Sequence, residues 1–334
     1  MSRAAGLALG WCADQLAGDP RRWHPVAGFG SAATLLERRT YAVSRPRGAV
    51  HVTLLVTATA VAGLAAERAT RGRATTHTLA TAAATWAVLG GRSLLREASA
   101  VDAYLRAGDL GAARRQVGNL VGRDTSRLGA DEVARACIES VAENTSDAVV
   151  APLLWGGLLG IPGLLAYRAV NTLDAMVGHR NERYREFGWA AARLDDVANW
   201  VPARVAGALA LACAPSATRA RAGWTAVRRD APAHPSPNGG VVEAAFAGVL
   251  GVRLGGRNTY EGRVEDRGSL GEGEAAAASD IAPARRLAHR VSAGSLAVSV
   301  VTATAVAAVT STRTDPRRAA SRRSPTHDGW PLDG

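Results

Sequence analysis

Glu139, Glu143 and Asp147 recur at intervals of four in the stretch "ESVAENTSDAVVAPLLW", residues 139–155. Residues four apart share a helix face, so the spacing predicts one column of negative charge with Asn144 beside it. Such a column repels itself unless a cation sits on it. Hard oxygen donors suit Mg²⁺, which takes one or two carboxylates and leaves its other positions to water and substrate phosphates. A second acidic group lies in "RLDDVANW", residues 193–200, where Asp195 and Asn199 share a face and Asp196 points elsewhere. The competing reading of both groups is a solvated helix end. Between them, "NTLDAMVGHRNERYREFGW" sets Asn171, Asp174 and Gly178 three and four apart. It then gathers Arg180, Arg183 and Arg185 around Asn181, Glu182 and Tyr184.

Two loops add polar groups. "HPSPN", residues 234–238, is a stiff turn whose two prolines fix φ and present His234, Ser236 and Asn238. "GVRLGGRNTYEG", residues 251–262, joins a glycine pair to Arg257, Asn258 and Tyr260; its likeness to a phosphate loop is weak, and a flexible turn is the default. The chain contains no lysine, so its 40 basic residues are all arginines. A phosphate must therefore be held by guanidinium groups or backbone amides, and lysine-based Schiff-base or P-loop chemistry is excluded.

The elements that must position these groups are apolar blocks. Residues 50–66, 74–91 and 291–310 carry no Asp, Glu or Arg and read as spanning helices. Residues 148–167 are long enough to span but contain "GIPG", and residues 201–215 are short and carry Arg204. Each reads either as a kinked span or as an interrupted, re-entrant helix. Because the catalytic loops must meet on one side, at least one of these two blocks is expected not to cross. No β-strand pattern and no internal repeat stand out. The expected class is all-α: a multi-pass integral membrane protein whose polar helical loops carry the active site.

At 334 residues the chain is expected to form one membrane-embedded domain over residues 1–310, followed by a disordered Arg/Ser/Pro-rich tail over 311–334. The polar segments are about 19–47, 92–147, 168–200 and 216–290, with a flexible Gly/Glu/Ala-rich loop at 262–280. No signal peptide is evident, since Asp14 and Asp19 follow the first apolar stretch at once. Cys12, Cys137 and Cys213 are scattered and read as small core residues instead of a disulfide or zinc framework. The net charge of +11 suits the anionic face of a membrane and argues against nucleic acid, because no aromatic residues are interleaved with the arginines.

Taken in order, "GDPRRWHPV", "ESVAENTSDAVVAPLLW", "YRAVNTLDAMVGHRNERYREFGWAAARLDDVANWVPAR", "HPSPNGG" and "GVRLGGRNTYEG" make the chain resemble the adenosylcobinamide-phosphate synthase family of cobalamin biosynthesis, CobD/CbiB. The resemblance implies a cell-membrane enzyme that ligates adenosylcobyric acid to aminopropanol or aminopropanol phosphate with ATP and Mg²⁺. Membrane lipid and other cobalamin-pathway enzymes are the further partners it implies. On this reading Glu139, Glu143, Asp147, Asp195 and Asp196 are metal ligands, and His234, Asp174 and Asn171 are catalytic. Arg180, Asn181, Arg183, Tyr184, Arg185, Ser236, Asn238, Arg257, Asn258 and Tyr260 are expected to bind substrate and phosphate. His234 is the group assigned to take a proton from the attacking ammonium. Two other classes fit parts of the pattern: a Mg²⁺-dependent membrane transferase acting on a diphosphate, and a non-catalytic transporter or scaffold.

Overall fold

A computed structural model of the chain describes residues 1–18, 25–179, 181–260 and 263–313. In chain order the helices are α1 (Ser2–Ala17), α2 (Pro25–Thr40), α3 (Arg45–Thr70), α4 (Ala74–Val88), α5 (Gly91–Arg106), α6 (Leu110–Val117) and α7 (Ala130–Thr145). They continue as α8 (Ala151–Leu159), α9 (Ile161–Val177), α10 (Trp189–Ala198), α11 (Trp200–Ala212), α12 (Ala217–Asp230) and α13 (Gly239–Leu250). Strands β1 (Val252–Tyr260), β2 (Arg263–Leu270) and β3 (Glu274–Ala275) precede the last helix, α14 (Ala278–Arg313).

Helices α3 and α14 are long and apolar enough to cross a membrane, and the stretches concerned are mostly unburied by the rest of the protein. Around them stand shorter helices whose ends meet at two levels. At one level Glu67, near the end of α3, contacts Arg3 of α1 at 3.0 Å and His77 of α4 at 3.2 Å. Its other oxygen accepts the N–H of Ile161 at 3.1 Å, which caps α9. At the opposite level the Asp14 carboxylate of α1 accepts Arg92 N of α5, and Gly90 N donates to Ala148 O.

The block at 148–167 does not form a single kinked span. Gly160, at φ 75°, turns the chain between α8 and α9 into a helical hairpin whose tip lies at the Glu67 level. Pro162 follows at the start of α9, where its missing N–H costs nothing. The block at 201–215 yields the 13-residue α11 (Trp200–Ala212), whose Ala203, Ala206 and Ala210 enter a large core with α7, α13 and the start of α14. The run at 74–91 yields the 15-residue α4.

The helices pack through small residues. Gly6 and Gly10 of α1 lie against Thr81 and Thr85 of α4, so closely that a methyl group at Gly6 would stand 2.5 Å from Thr81 Cβ. Small residues four apart on facing helices allow backbones to approach in this way, as in membrane helix pairs.

The all-α expectation needs one correction, a small sheet of order β2-β1-β3. β1 and β2 are antiparallel with Leu254 opposite Leu270, and β1 and β3 are parallel. Residues 251–262, read as a turn, and 262–280, read as a loop, therefore contribute strands. Gly255, Gly256 and Gly268 at positive φ carry a bulge in the hairpin, and such glycine-rich strands lack the β-branched alternation that announces a strand. Only Cys137 is a core cysteine; Cys12 is exposed and Cys213 partly so.

Candidate active site

The chain enters the site through an irregularity. Between α7 and α8 the helix widens to a π turn over Ser146–Val150, a rare form that recurs at functional positions. The predicted column of acids is divided there. Glu139 is buried and committed: Arg123 Nη2 donates to its Oε2 at 2.8 Å, and Gly255 N donates to its Oε1 at 2.8 Å. These bonds dock β1 onto α7 and set Glu139 apart from the other two acids of the column read as metal ligands. Glu143 and Asp147 remain half-buried and point into a second group.

That group is made by the ends of α9 and α10. Asn171 Nδ2 approaches Asp195 Oδ1 at 3.4 Å, and Tyr167 Oη lies 2.7 Å from Asn199 Oδ1. Burial pushes the Asp147 carboxyl well above the ordinary range, and the charges of Asp195, Glu143 and Asp174 add to it against Arg168. Asp195 is pushed up to about 7 by burial and then by Asp174. Asp174 is pushed up to about 6 by burial and by Asp196 and Glu143. Five carboxylates from α7, the π turn, α9 and α10 thus feel one another: Glu143, Asp147, Asp174, Asp195 and Asp196.

The "HPSPN" loop braces this group from α13. Asn238 Nδ2 donates to Asp196 O at 2.8 Å, and Arg204 Nη1 donates to Asn238 Oδ1 at 2.8 Å. Ser236 Oγ accepts Gly239 N at 3.0 Å, holding the first turn of α13. His234 is buried. Its Nδ1 meets the main chain of Ser236 at 3.1 Å, and its Nε2 faces Glu243 at 3.7 Å. Burial lowers the basicity of this ring, with Arg267 as the second cause. The imidazole is thus buried, with Nδ1 engaged by the loop's main chain and Nε2 turned to the interior.

Arg183 is also engaged. Its Nη2 donates to Glu37 at 2.9 Å, and the guanidinium lies over the rings of Tyr41 and Tyr184. Tyr184 Oη donates to the same carboxylate, and Asn181 Oδ1 accepts Tyr184 N, while Arg185 is exposed. These contacts fasten the 181–188 loop to α2. Arg180, residues 19–24 and the tail from 314 lie outside the described residues, as do the side chains of Arg257, Asn258 and Tyr260.

Glu243 escaped the sequence reading. It is a lone charge in the apolar helix "GGVVEAAFAGVL", is completely buried, and has no hydrogen-bond partner for either oxygen among the described residues. Burial drives its carboxyl well upward. That single charge in an otherwise apolar helix was the available signal. Tyr167 and Arg168, at the edge of an apolar block, gave none, and Arg204 was visible only as a charge within the block 201–215.

Residues 7–288 match the family described as CobD/Cbib protein. The chain belongs to the CobD/CbiB family. Among its relatives is the cobalamin biosynthesis protein CobD of Mycobacterium tuberculosis, 50% identical over 301 residues, or 90% of this chain and 96% of the relative. The proteins of the same name from Geobacter metallireducens and Chromobacterium violaceum are 47% and 42% identical, covering 78% and 87% of this chain and 83% and 93% of theirs. No solved structure matches. Family membership places the chain in cobalamin biosynthesis and implies a corrinoid substrate. The acidic group and its braces all fall inside the matched region.

Proposed function

We propose that the chain is a multi-pass membrane ligase that joins adenosylcobyric acid to aminopropanol or its phosphate, with ATP as the activating reagent. The observation that supports this reading is the convergence of Glu143, Asp147, Asp174, Asp195 and Asp196 in a family devoted to cobalamin biosynthesis. A carboxylate does not acylate an amine unaided. Its oxygen attacks the terminal phosphorus of ATP and ADP leaves; the amine nitrogen then attacks the acyl carbon of the resulting acyl phosphate, and phosphate leaves with the C–O electron pair. One proton must depart from the nitrogen, giving adenosylcobinamide or adenosylcobinamide phosphate.

Mg²⁺ would neutralise the charge of the transferring phosphates, and the donor set fits it. Hard, half-exposed carboxylates that repel one another are relieved by a dication. Among the described residues no three His, Cys, Asp or Glu side chains stand preassembled around a metal position. Mg²⁺ does not ask for that, since one or two carboxylates suffice beside water and phosphate. Glu143, Asp147 and Asp195 would hold it. With His234 sealed, Asp174 is the residue assigned to receive the proton, because an acceptor poised near neutrality combines availability with driving force.

The two-level arrangement of α1, α3, α4, α8, α9 and α14 supports a bundle in which the polar segments gather at one membrane face. On this reading hairpin α8–α9 enters the membrane and returns, which would let the catalytic loops meet on one side. The deciding experiment gives detergent-purified protein adenosylcobyric acid, aminopropanol phosphate, ATP and Mg²⁺, and follows the amide by mass together with ADP. Folded protein that forms neither overturns the ligase reading.

A further inference from the structure

On the same side of the bundle as the acidic site, a cleft of about 470 Å³ opens between α5 and α14. Arg92, Arg96, Arg285, Arg286, His289 and Arg290 line it. Arg92 and Arg96 stand four apart on α5, and Arg286 and Arg290 four apart on α14, so two columns of like charge face one another. Like charges at this spacing destabilise a helix unless something negative lies between them. Among the described residues the surroundings do not supply it. Among the described residues none of these five arginines forms an ion pair, and nearby carboxylates are engaged elsewhere: Glu97 by Gln116, Asp102 by Arg106, and Asp14 by Gln15 and the backbone of Arg92. Arg285 donates to Leu95 O at 3.1 Å, a main-chain contact that fixes the guanidinium without a countercharge among the described residues.

The position of the cleft adds a second argument. Arg290 is followed at once by the uncharged run 291–310 of a helix apolar enough to cross a membrane. Trp11 lies beside it, donating Nε1–H to Ser292 Oγ at 2.8 Å with its ring 6.3 Å from that of His289. An indole with one polar edge satisfied, next to arginines at the end of an apolar helix, is the arrangement found where helices leave the bilayer. The volume falls in the range of small-molecule sites and is far larger than one inorganic phosphate needs.

We propose that this cleft is a binding site for phosphate groups of an anionic ligand, and that its place at the bilayer surface selects the headgroup of an acidic phospholipid. Guanidinium groups offer paired N–H donors that match phosphate oxygens, and basic pockets between membrane helices bind acidic headgroups by the same chemistry. The site is separate from the acidic cluster and does not depend on the ligase reading.

The test uses the full chain in detergent and native mass spectrometry, with phosphatidylglycerol, phosphatidylcholine and pyrophosphate as probes. The parent should retain phosphatidylglycerol and not phosphatidylcholine. Arg286→Gln combined with Arg290→Gln should weaken phosphatidylglycerol binding roughly twenty-five-fold, a factor of about five for each arginine near a bilayer surface. Arg127→Gln with Arg221→Gln, two exposed arginines elsewhere, removes equal charge and should change nothing. Pyrophosphate binding that is lost in the cleft variant, without any lipid retention, keeps the phosphate site and overturns its lipid occupant. Equal binding of both anions by the parent and the cleft variant, at matched melting temperatures, overturns the proposal.

Discussion

Tyr167 Oη lies 2.7 Å from Asn199 Oδ1 and 3.0 Å from the main-chain oxygen of Asp147. One phenol therefore ties α9 to the α10–α11 junction and to the π turn that carries the acidic site. Tyr167→Phe keeps the ring and removes the tie, leaving a buried amide oxygen without its donor. The expected cost is about 1–3 kcal/mol of stability. Thermal unfolding in detergent measures it, and an unchanged midpoint would mean that packing alone sets this junction.

The two glutamates of the "ESVAEN" stretch should behave as opposites. Glu139→Gln breaks a buried pair with Arg123, and removing one partner of such a pair costs roughly 3–5 kcal/mol; the loss should appear as misfolding or a lowered midpoint. Glu143→Gln and Asp195→Asn preserve shape at half-buried positions and should fold normally while losing most turnover. Raised Mg²⁺ should restore part of it. Parental ligation rates at low Mg²⁺ in both variants would remove the metal from this cluster.

Asp174 and Asp195 set a pH dependence with a defined sign. Their folded-state values, about 6 and about 7, stand above the ordinary 3.8, so the native chain binds more protons than the unfolded one. Their contribution to stability is full below pH 3.8 and is lost as the pH rises through 6 and 7. In chelator, the midpoint should fall as the pH rises from 3.8 to about 7, a window set by the unfolded and folded values of those two groups. Asp195→Asn should flatten the slope, and Mg²⁺ should flatten it in the parent, because a cation favours the charged forms. A slope that survives both treatments comes from other groups.

Close packing of α1 on α4 makes a prediction away from the site. Gly10→Leu puts a branched side chain where a single methyl already meets Thr85, so backbone separation is the only relief. Overpacking of this kind costs typically about 1–3 kcal/mol or more. Crosslinking between cysteines placed on the facing sides of α1 and α4 should fall in the variant, and retention of the parental yield would show that the helices are not held by this contact.

Legibility followed the range of the forces involved. The acidic group could be read because a spacing of four is a local geometric fact; the residues at 143–147, 171–174 and 195–199 needed only helices to bring their faces into register. The docking of Glu139 could not be read locally because its partners, Arg123 and Gly255, come from segments 16 and 116 positions away. His234 looked presentable on a proline-stiffened loop, and only the fold shows Glu243 closing over it. The sheet went unread because glycines at positive φ do its bending and leave no alternating pattern. The hairpin at Gly160 was signalled by "GIPG", but the choice between a kink and a reversal rested on Glu67, nearly a hundred positions earlier, waiting to cap α9.

The π turn at 146–150 also bears on how this chain tolerates length changes. A π turn is an α-helix holding one extra residue, and the wider turn absorbs the advance of about 100° around the axis that each further residue of α-helix would add. Removing a single residue there would restore an unbroken α-helix from α7 into α8 and leave the later side chains of α8 near their present angles. Leu153 would keep its core and Gly157 would still face Ser299, whereas the wide turn that carries Asp147 would be lost. A deletion inside α8 would instead turn every later side chain of that helix by one step, so the π turn is the clutch that lets the acidic site change length without moving the bundle beneath it.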